Sequence, residues 1–181
     1  MRIFVDADAS PVQNEVIDAA KAHDLQVVFV KNYAHFSQTE YPSFVEVIHV
    51  DKGADMADYE IVRNIQANDI VITQDYGLAA LCLGKQAHVL HHKGFQYTDE
   101  NIDQLLTQRH IGAQMRRAGK KTKGPKPFTN EEREKFARKL HDVIQTYINS
   151  LYKFKIIYIN GIIVLVLYEI RLIKIFKIIY T

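Results

Sequence analysis

Cysteine occurs once in the 181 residues, at Cys82. That excludes an intramolecular disulfide and suits a reducing compartment. Cys82 sits among Leu78, Ala79, Leu81 and Leu83 and reads as an inert core thiol. No Cys or His stands at zinc-ligand spacing around His91-His92, so the common zinc motifs are excluded. Gly53 and Gly77 are isolated, so no glycine-rich loop cradles a phosphate. No Ser-His-Asp arrangement is supported. The opening Met1-Arg2-Ile3-Phe4-Val5-Asp6 lacks the long apolar run of a secretory signal, and a cytoplasmic location is expected.

What the chain does hold is apolar matter and a split of charge. Hydrophobic residues make up 48%, enough for a packed core. The net charge of +2 hides two opposed halves. Residues 1–115 carry 8 Lys/Arg against 16 Asp/Glu, and residues 116–181 carry 15 against 5. A basic segment beside an acidic domain suggests a polyanionic partner, nucleic acid first, although such charges also serve solubility alone.

Short β-rich runs alternate with helical spacing, which predicts a parallel sheet covered on both faces. Residues 2–6 read as a buried first strand. Ser10-Pro11 reads as a helix start, with Ser as N-cap and Pro at the first helical position. Residues 26–30 and 44–50 are further strands, separated by a loop over 31–43. Residues 54–65 have helical spacing through Met56, Tyr59, Val62 and Ile65. A strand over 69–73 precedes a short helix over 77–83, with Gly84 placed to stop it. Residues 87–90 form the last strand expected. Helical spacing returns over 98–114, with Thr98 as N-cap and Asn101 in place of the capping-box Glu. Residues 116–128 form an irregular basic loop. Thr129-Asn130-Glu131-Glu132 then matches a capping box that opens a helix over 129–149.

Residues 151–181 change character, with Glu169 the only acid among Ile, Lys and Tyr. Residues 156–168 are nearly all apolar, about 13 residues where roughly 20 span a bilayer. Asn160-Gly161 between two β-rich runs signals a hairpin of 153–159 with 162–168. A membrane tail anchor and an unselected translation product are the other readings. The division expected is a domain over 1–150 and an atypical tail over 151–181.

Asp6-Ala7-Asp8 ends the first strand, Asp55 and Asp58 open the middle helix, and Asp75 follows the fourth strand. In open α/β sheets ligands bind outside the carboxyl ends of the strands. Carboxylates converging there repel one another unless a hard cation such as Mg²⁺ or Mn²⁺ neutralises them. Asp6 and Asp8, two apart in an extended segment, can point the same way. Asp55 and Asp58 share a helix face. Each has a plainer role to hand, turn former for Asp6, helix-dipole partner for Asp55 and helix cap for Asp75.

Val5-Asp6-Ala7-Asp8-Ala9-Ser10-Pro11-Val12 resembles the opening of the bacterial YaiI/YqxD family of uncharacterised proteins. Asn32, Gly53-Ala54-Asp55-Met56-Ala57-Asp58, Asp69-Ile70-Val71-Ile72-Thr73-Gln74-Asp75 with Leu78-Ala79, and Gly124-Pro125-Lys126-Pro127-Phe128 fit the same pattern in order. The resemblance covers roughly residues 1–150. It implies a PIN-like, Rossmannoid α/β/α sandwich with a mostly parallel central sheet. Better-studied PIN and NYN relatives are metal-dependent ribonucleases, with an acidic pocket similar to Asp6, Asp55, Asp58 and Asp75. Ser10 departs from the family, which usually has Cys there, and the tail is extra.

The resulting expectation is a divalent-metal-dependent nuclease acting on phosphodiesters of RNA. Asp6, Asp55 and Asp75 would be catalytic, and Asp6, Asp8, Asp55, Asp58 and Asp75 would hold Mg²⁺ or Mn²⁺. Asn32, Arg116, Arg117, Lys120, Lys121, Lys123 and Lys126 would bind the nucleic acid, the basic ones through its backbone. Thr73 and Ser10 could add hydroxyls. Tyr33, His35 and Phe36 are candidates for base stacking, with loop packing as the plainer account. A non-catalytic nucleic-acid-binding module and a hydrolase of small phosphate esters are the competing classes. No membrane contact is expected for residues 1–150, and association into homo-oligomers stays open.

Overall fold

The computed structural model describes residues 1–8, 10–33, 39–51, 53, 55–117, 127–152, 156–159 and 162–165. Six strands form one sheet: β1 (Arg2–Asp6), β2 (Gln26–Asn32), β3 (Val45–Val50), β4 (Ile70–Ile72), β5 (His88–His91) and β6 (Phe95–Tyr97). Their order is β3-β2-β1-β4-β5-β6, all pairs parallel except β5 with β6. The helices are α1 (Gln13–His23), α2 (Met56–Asn64), α3 (Tyr76–Gly84), α4 (Asp99–Arg117) and α5 (Asn130–Tyr152).

The central strands carry apolar residues on both faces, as strands do when both sides are covered. Phe4, Val28, Val30, Val71 and Val89 point to one face, where Ile61 of α2, Leu78 and Cys82 of α3 and Ile102 of α4 complete a buried cluster. Ile3, Val5, Val27, Phe29, Ile70 and Ile72 alternate to the other face and are equally buried. Helix α1 covers β1 and β2 there with Val16, Ala19 and Ala20. The result is an α/β/α sandwich with a mostly parallel sheet.

Chain order reverses at the middle of the sheet. From β1 the chain steps outward through β2 to β3, then returns by α2 to β4 on the far side of β1. The carboxyl ends of β1 and β4 therefore flank the switch point, where such folds open a crevice. The register sets Val5 beside Ile72, so Asp6 and Thr73 leave the sheet side by side. At the opposite end Asp69 fixes that register. Its carboxylate accepts from the N–H groups of Arg2 (2.7 Å) and Gln66 (3.0 Å).

Several local expectations change in the folded chain. Ser10 does not cap α1; Val12 holds the N-cap position, and the helix starts at Gln13. The strand β6 was not expected, and β2 runs on through Lys31 and Asn32. Gly84 is the last residue of α3, and the left-handed residue that turns the chain is Gln86. Helix α4 continues to Arg117, so Arg116 and Arg117 are helical and not part of a loop. Of the basic loop, residues 118–126, with Lys120, Lys121, Lys123 and Lys126, lie outside the described residues, as do His35 and Phe36. The capping box at Thr129 forms in full. Its N–H donates to Glu132 Oε2 (3.0 Å), and the Glu132 N–H donates to Thr129 Oγ1 (3.2 Å).

The contacts divide the chain into Met1–His141 and Asp142–Thr181. In the second unit β7 (Ile156–Ile159) pairs antiparallel with β8 (Ile162–Leu165), Ile159 opposite Ile162. Asn160 and Gly161, the expected turn, lie outside the described residues. Among the described residues no helix is long and apolar enough to cross a membrane.

Candidate functional site

Three carboxylates line one cleft at the switch point, and a fourth, Asp6, is tied to it through Thr73. Asp6 ends β1 and accepts a hydrogen bond from Thr73 Oγ1 at 3.1 Å. The same Thr73 oxygen accepts the Asp75 N–H at 3.0 Å, so one buried hydroxyl ties the end of β1 to the start of α3. The Tyr97 hydroxyl, from the unexpected strand β6, donates to the Thr73 carbonyl at 3.4 Å. Asp55 and Asp58 approach from α2 and line a cleft of about 640 Å³ with Asp75 and Arg109.

The two helix N-termini hold their acids differently. Asp75 caps α3: its Oδ1 accepts from the N–H groups of Gly77 (2.7 Å) and Leu78 (3.1 Å). Its Oδ2 meets Arg109 Nη1 at 2.8 Å. Both oxygens are thus engaged. Asp55 holds the N-cap position of α2 in a left-handed conformation (φ 63°), with no side-chain capping bond. Asp58 lies one turn on, in the half-buried first turn of α2.

Burial and charge act together on two of these groups. Burial pushes Asp58 up to about 6, and repulsion from Asp75, Asp6 and Asp55 adds to it, with Arg109 opposing. Burial also raises Asp6; the Thr73 hydroxyl lowers it, and Asp8 and Asp75 raise it. A group this strained in charge at a crevice is a functional-site signal. Among the described residues no three His, Cys, Asp or Glu side chains already stand at metal-ligand separation.

The remaining expected residues divide. Asp8 is exposed, and both its oxygens receive the Asn32 backbone N–H (3.0 and 3.1 Å), joining the ends of β1 and β2. Arg117 is exposed at the end of α4. Ser10 lines a small recess with Asp6, Thr73, Gln74 and His92. Its Oγ is buried without a hydrogen-bond partner among the described residues. Tyr33 is exposed and stacks on His49 of β3 at 5.3 Å between centroids. Cys82 is buried, and burial pushes its thiol up to about 12, so it is inert core.

Sequence reasoning passed over two features. Arg109 follows Leu105 and Leu106 by four and three residues, so a cation interrupts the apolar stripe of α4 that packs on the core. The second is the stripe Met56–Tyr59–Val62, which marks the helix but not its buried face. Ile61 and Ile65 are buried, whereas Met56 and Tyr59 are exposed and Tyr59 and Val62 line the cleft.

Residues 4–146 match the family described as "Uncharacterized BCR, YaiI/YqxD family". A UPF0178 protein of Bacillus thuringiensis subsp. konkukian is 54% identical over 136 residues, covering 75% of this chain and 93% of that protein. A UPF0178 protein of Bacillus cereus is 51% identical over 144 residues, covering 80% and 99%. Among solved structures, a point mutant of Rae1 (YacP) from Bacillus subtilis covers 81% of this chain and 99% of its own, at 19% identity and a TM-score of 0.36.

Proposed function

The chain belongs to the YaiI/YqxD family of uncharacterised proteins, and we propose that its acidic crevice hydrolyses RNA phosphodiester bonds with a divalent cation, Mg²⁺ or Mn²⁺. The observation that carries this reading is the convergence of Asp55, Asp58 and Asp75 on one cleft at the switch point, with Asp6 tied to Asp75 through Thr73. After burial, their mutual repulsion helps to raise Asp58 to about 6. Removing that repulsion is what a cation does. The donor set fits a hard ion, since every candidate ligand is a carboxylate oxygen.

Asp6 and Asp58 would hold the ion, with Asp55 and Asp8 beside them. Mg²⁺ takes one or two carboxylates readily and keeps several waters. Asp75, which lines the same cleft, would support the site, its two oxygens being engaged by the N-terminus of α3 and by Arg109. Such an ion supplies Lewis acidity and makes a water a better nucleophile.

The chain's own residues position and balance. Thr73 fixes the Asp6 carboxylate through Oδ2. Asp75 holds Arg109 at the edge of the cleft, where its half-exposed guanidinium meets a phosphate with charge-assisted hydrogen bonds. Arg116, Arg117 and the four lysines beyond them add backbone contacts that carry no sequence preference and weaken with salt.

The test is cleavage of labelled single-stranded RNA and DNA by the full chain in Mn²⁺, Mg²⁺ or EDTA, beside Asp6→Asn and Asp58→Asn. Metal-dependent cutting of RNA, lost in both variants, supports the reading. Cutting that survives both substitutions comes from elsewhere and ends it. Salt-sensitive binding without cutting replaces it with a non-catalytic nucleic-acid-binding module.

A further inference from the structure

Cation chemistry leaves the apolar side of the crevice unexplained. Tyr59 is 66% exposed and Leu81 58%, although α2 and α3 bury other residues well. With Val62 and Leu78 they wall one part of the cleft of about 640 Å³ that also holds Asp55, Asp58, Asp75 and Arg109. Single exposed apolar residues need no explanation, but a set gathered around one concavity marks a ligand surface. The cleft falls within the size range of pockets that take small ligands, roughly 300–1,000 Å³.

The lining specifies three parts of the ligand. A flat apolar body suits the Tyr59 ring and the Leu81 side chain. Donor groups on the edge of that body suit Asp55, which accepts hydrogen bonds when ionised and offers none. An anionic group suits Arg109, whose side chain is 52% exposed beyond its contact with Asp75. A nucleotide joins these parts in one molecule. A base in a duplex has its faces covered by stacking and its edge by pairing, so only an unpaired one offers all three.

We propose that this cleft takes one unpaired nucleotide of a single-stranded nucleic acid, its base against Tyr59 and Leu81 and its phosphate at Arg109. The proposal rests on the phosphodiesterase reading for the position of the bond to be cut, but the binding itself needs no cleavage. It makes the apolar wall the selector of single strands and the carboxylates the site of chemistry.

The test is fluorescence anisotropy of fluorescein-labelled oligonucleotides with the full chain, single-stranded and as the matching duplex, in EDTA and in Mg²⁺. Single-strand binding is expected to weaken about tenfold in Tyr59→Ala and to survive in Tyr59→Phe, since stacking on one aromatic ring is worth that order. Leu81→Ser and Arg109→Ala weaken it as well, and circular dichroism confirms that each variant folds. Equal affinity for duplex, wild-type affinity in both Tyr59→Ala and Leu81→Ser, or no single-strand binding in either buffer overturns the proposal. A Tyr59→Ala chain that sediments as a smaller species than wild type also overturns it, because the wall is then a self-association surface. The two readings fail separately. Cutting that is lost in Asp58→Asn but unchanged in Tyr59→Ala removes the nucleotide subsite alone. Tyr59-dependent binding with no cutting in any metal removes the phosphodiesterase reading alone.

Discussion

Asp55 and Asp75 occupy the same place in successive helices, the residue before the first turn, and the chain uses them in opposite ways. Asp75 has extended backbone, caps two N–H groups and pairs with Arg109. Asp55 has left-handed backbone and caps nothing with its side chain. One acid is spent on holding α3 at the crevice. The other is held at a conformational cost, with its carboxylate turned to the cleft. Residue type and position in a helix do not separate a structural carboxylate from one available for chemistry; its hydrogen bonds do.

Breaking the structural member should cost most. Asp75→Ala removes a cap, worth about 0.5–2 kcal/mol in its class, and leaves Arg109 facing only the cleft. A loss of about 2 kcal/mol by urea unfolding is expected; a loss below about 0.5 kcal/mol would mean that the cap is not holding the helix. Thr73→Val comes next. It strips Asp6 of its donor and leaves the Asp75 N–H without its acceptor, in a residue only 3% exposed. About 1–2 kcal/mol should be lost, and the cutting rate should fall with it while helix content by circular dichroism stays.

The third effect depends on pH. Burial and the neighbouring carboxylates raise Asp58 from its ordinary 3.8 to about 6. The folded chain then binds this proton more tightly than the unfolded one. The resulting stability is complete below about pH 4 and is lost as pH rises through about 6. Asp58→Asn removes that loss. Its unfolding free energy relative to wild type should rise by about 1 kcal/mol between about pH 4 and about pH 7.5, a figure reduced for solvent screening at a partly exposed group. A difference that does not change with pH would mean that burial and repulsion do not raise Asp58. The smallest effect belongs to Asp55. Asp55→Gly relieves a left-handed residue and should stabilise by about 0.5 kcal/mol, opposite in sign to Asp75→Gly. Thermal melts of the two glycine variants test the contrast, and a shared sign would erase it.

Much of this was legible from the chain itself because it was local. The apolar run before Asp75, the acids at the ends of β1 and β4 and the Thr129–Glu132 capping box are each set by a few consecutive residues. What failed needed partners distant in sequence or faces that spacing cannot orient. Ser10-Pro11 has the chemistry of a helix start, yet the helix begins at Gln13 and the hydroxyl is buried instead. Phe95-Gln96-Tyr97 is too short to read as a strand without β5 beside it. Arg109 lies 34 residues from Asp75 in sequence and 2.8 Å away in space. Tyr59 shared a helical spacing with Ile65, but one lines the cleft and the other the core.

The most direct measurement is calorimetric titration of the full chain with Mn²⁺ at about pH 7.5, comparing wild type with Asp6→Asn, Asp58→Asn and Asp75→Asn. If the crevice holds a cation on its open carboxylates, wild type binds Mn²⁺. Asp6→Asn and Asp58→Asn then weaken binding at least about tenfold, a change of about 1.4 kcal/mol, and Asp75→Asn weakens it less. Binding that ignores Asp6 and Asp58, or no binding in wild type, would contradict the account.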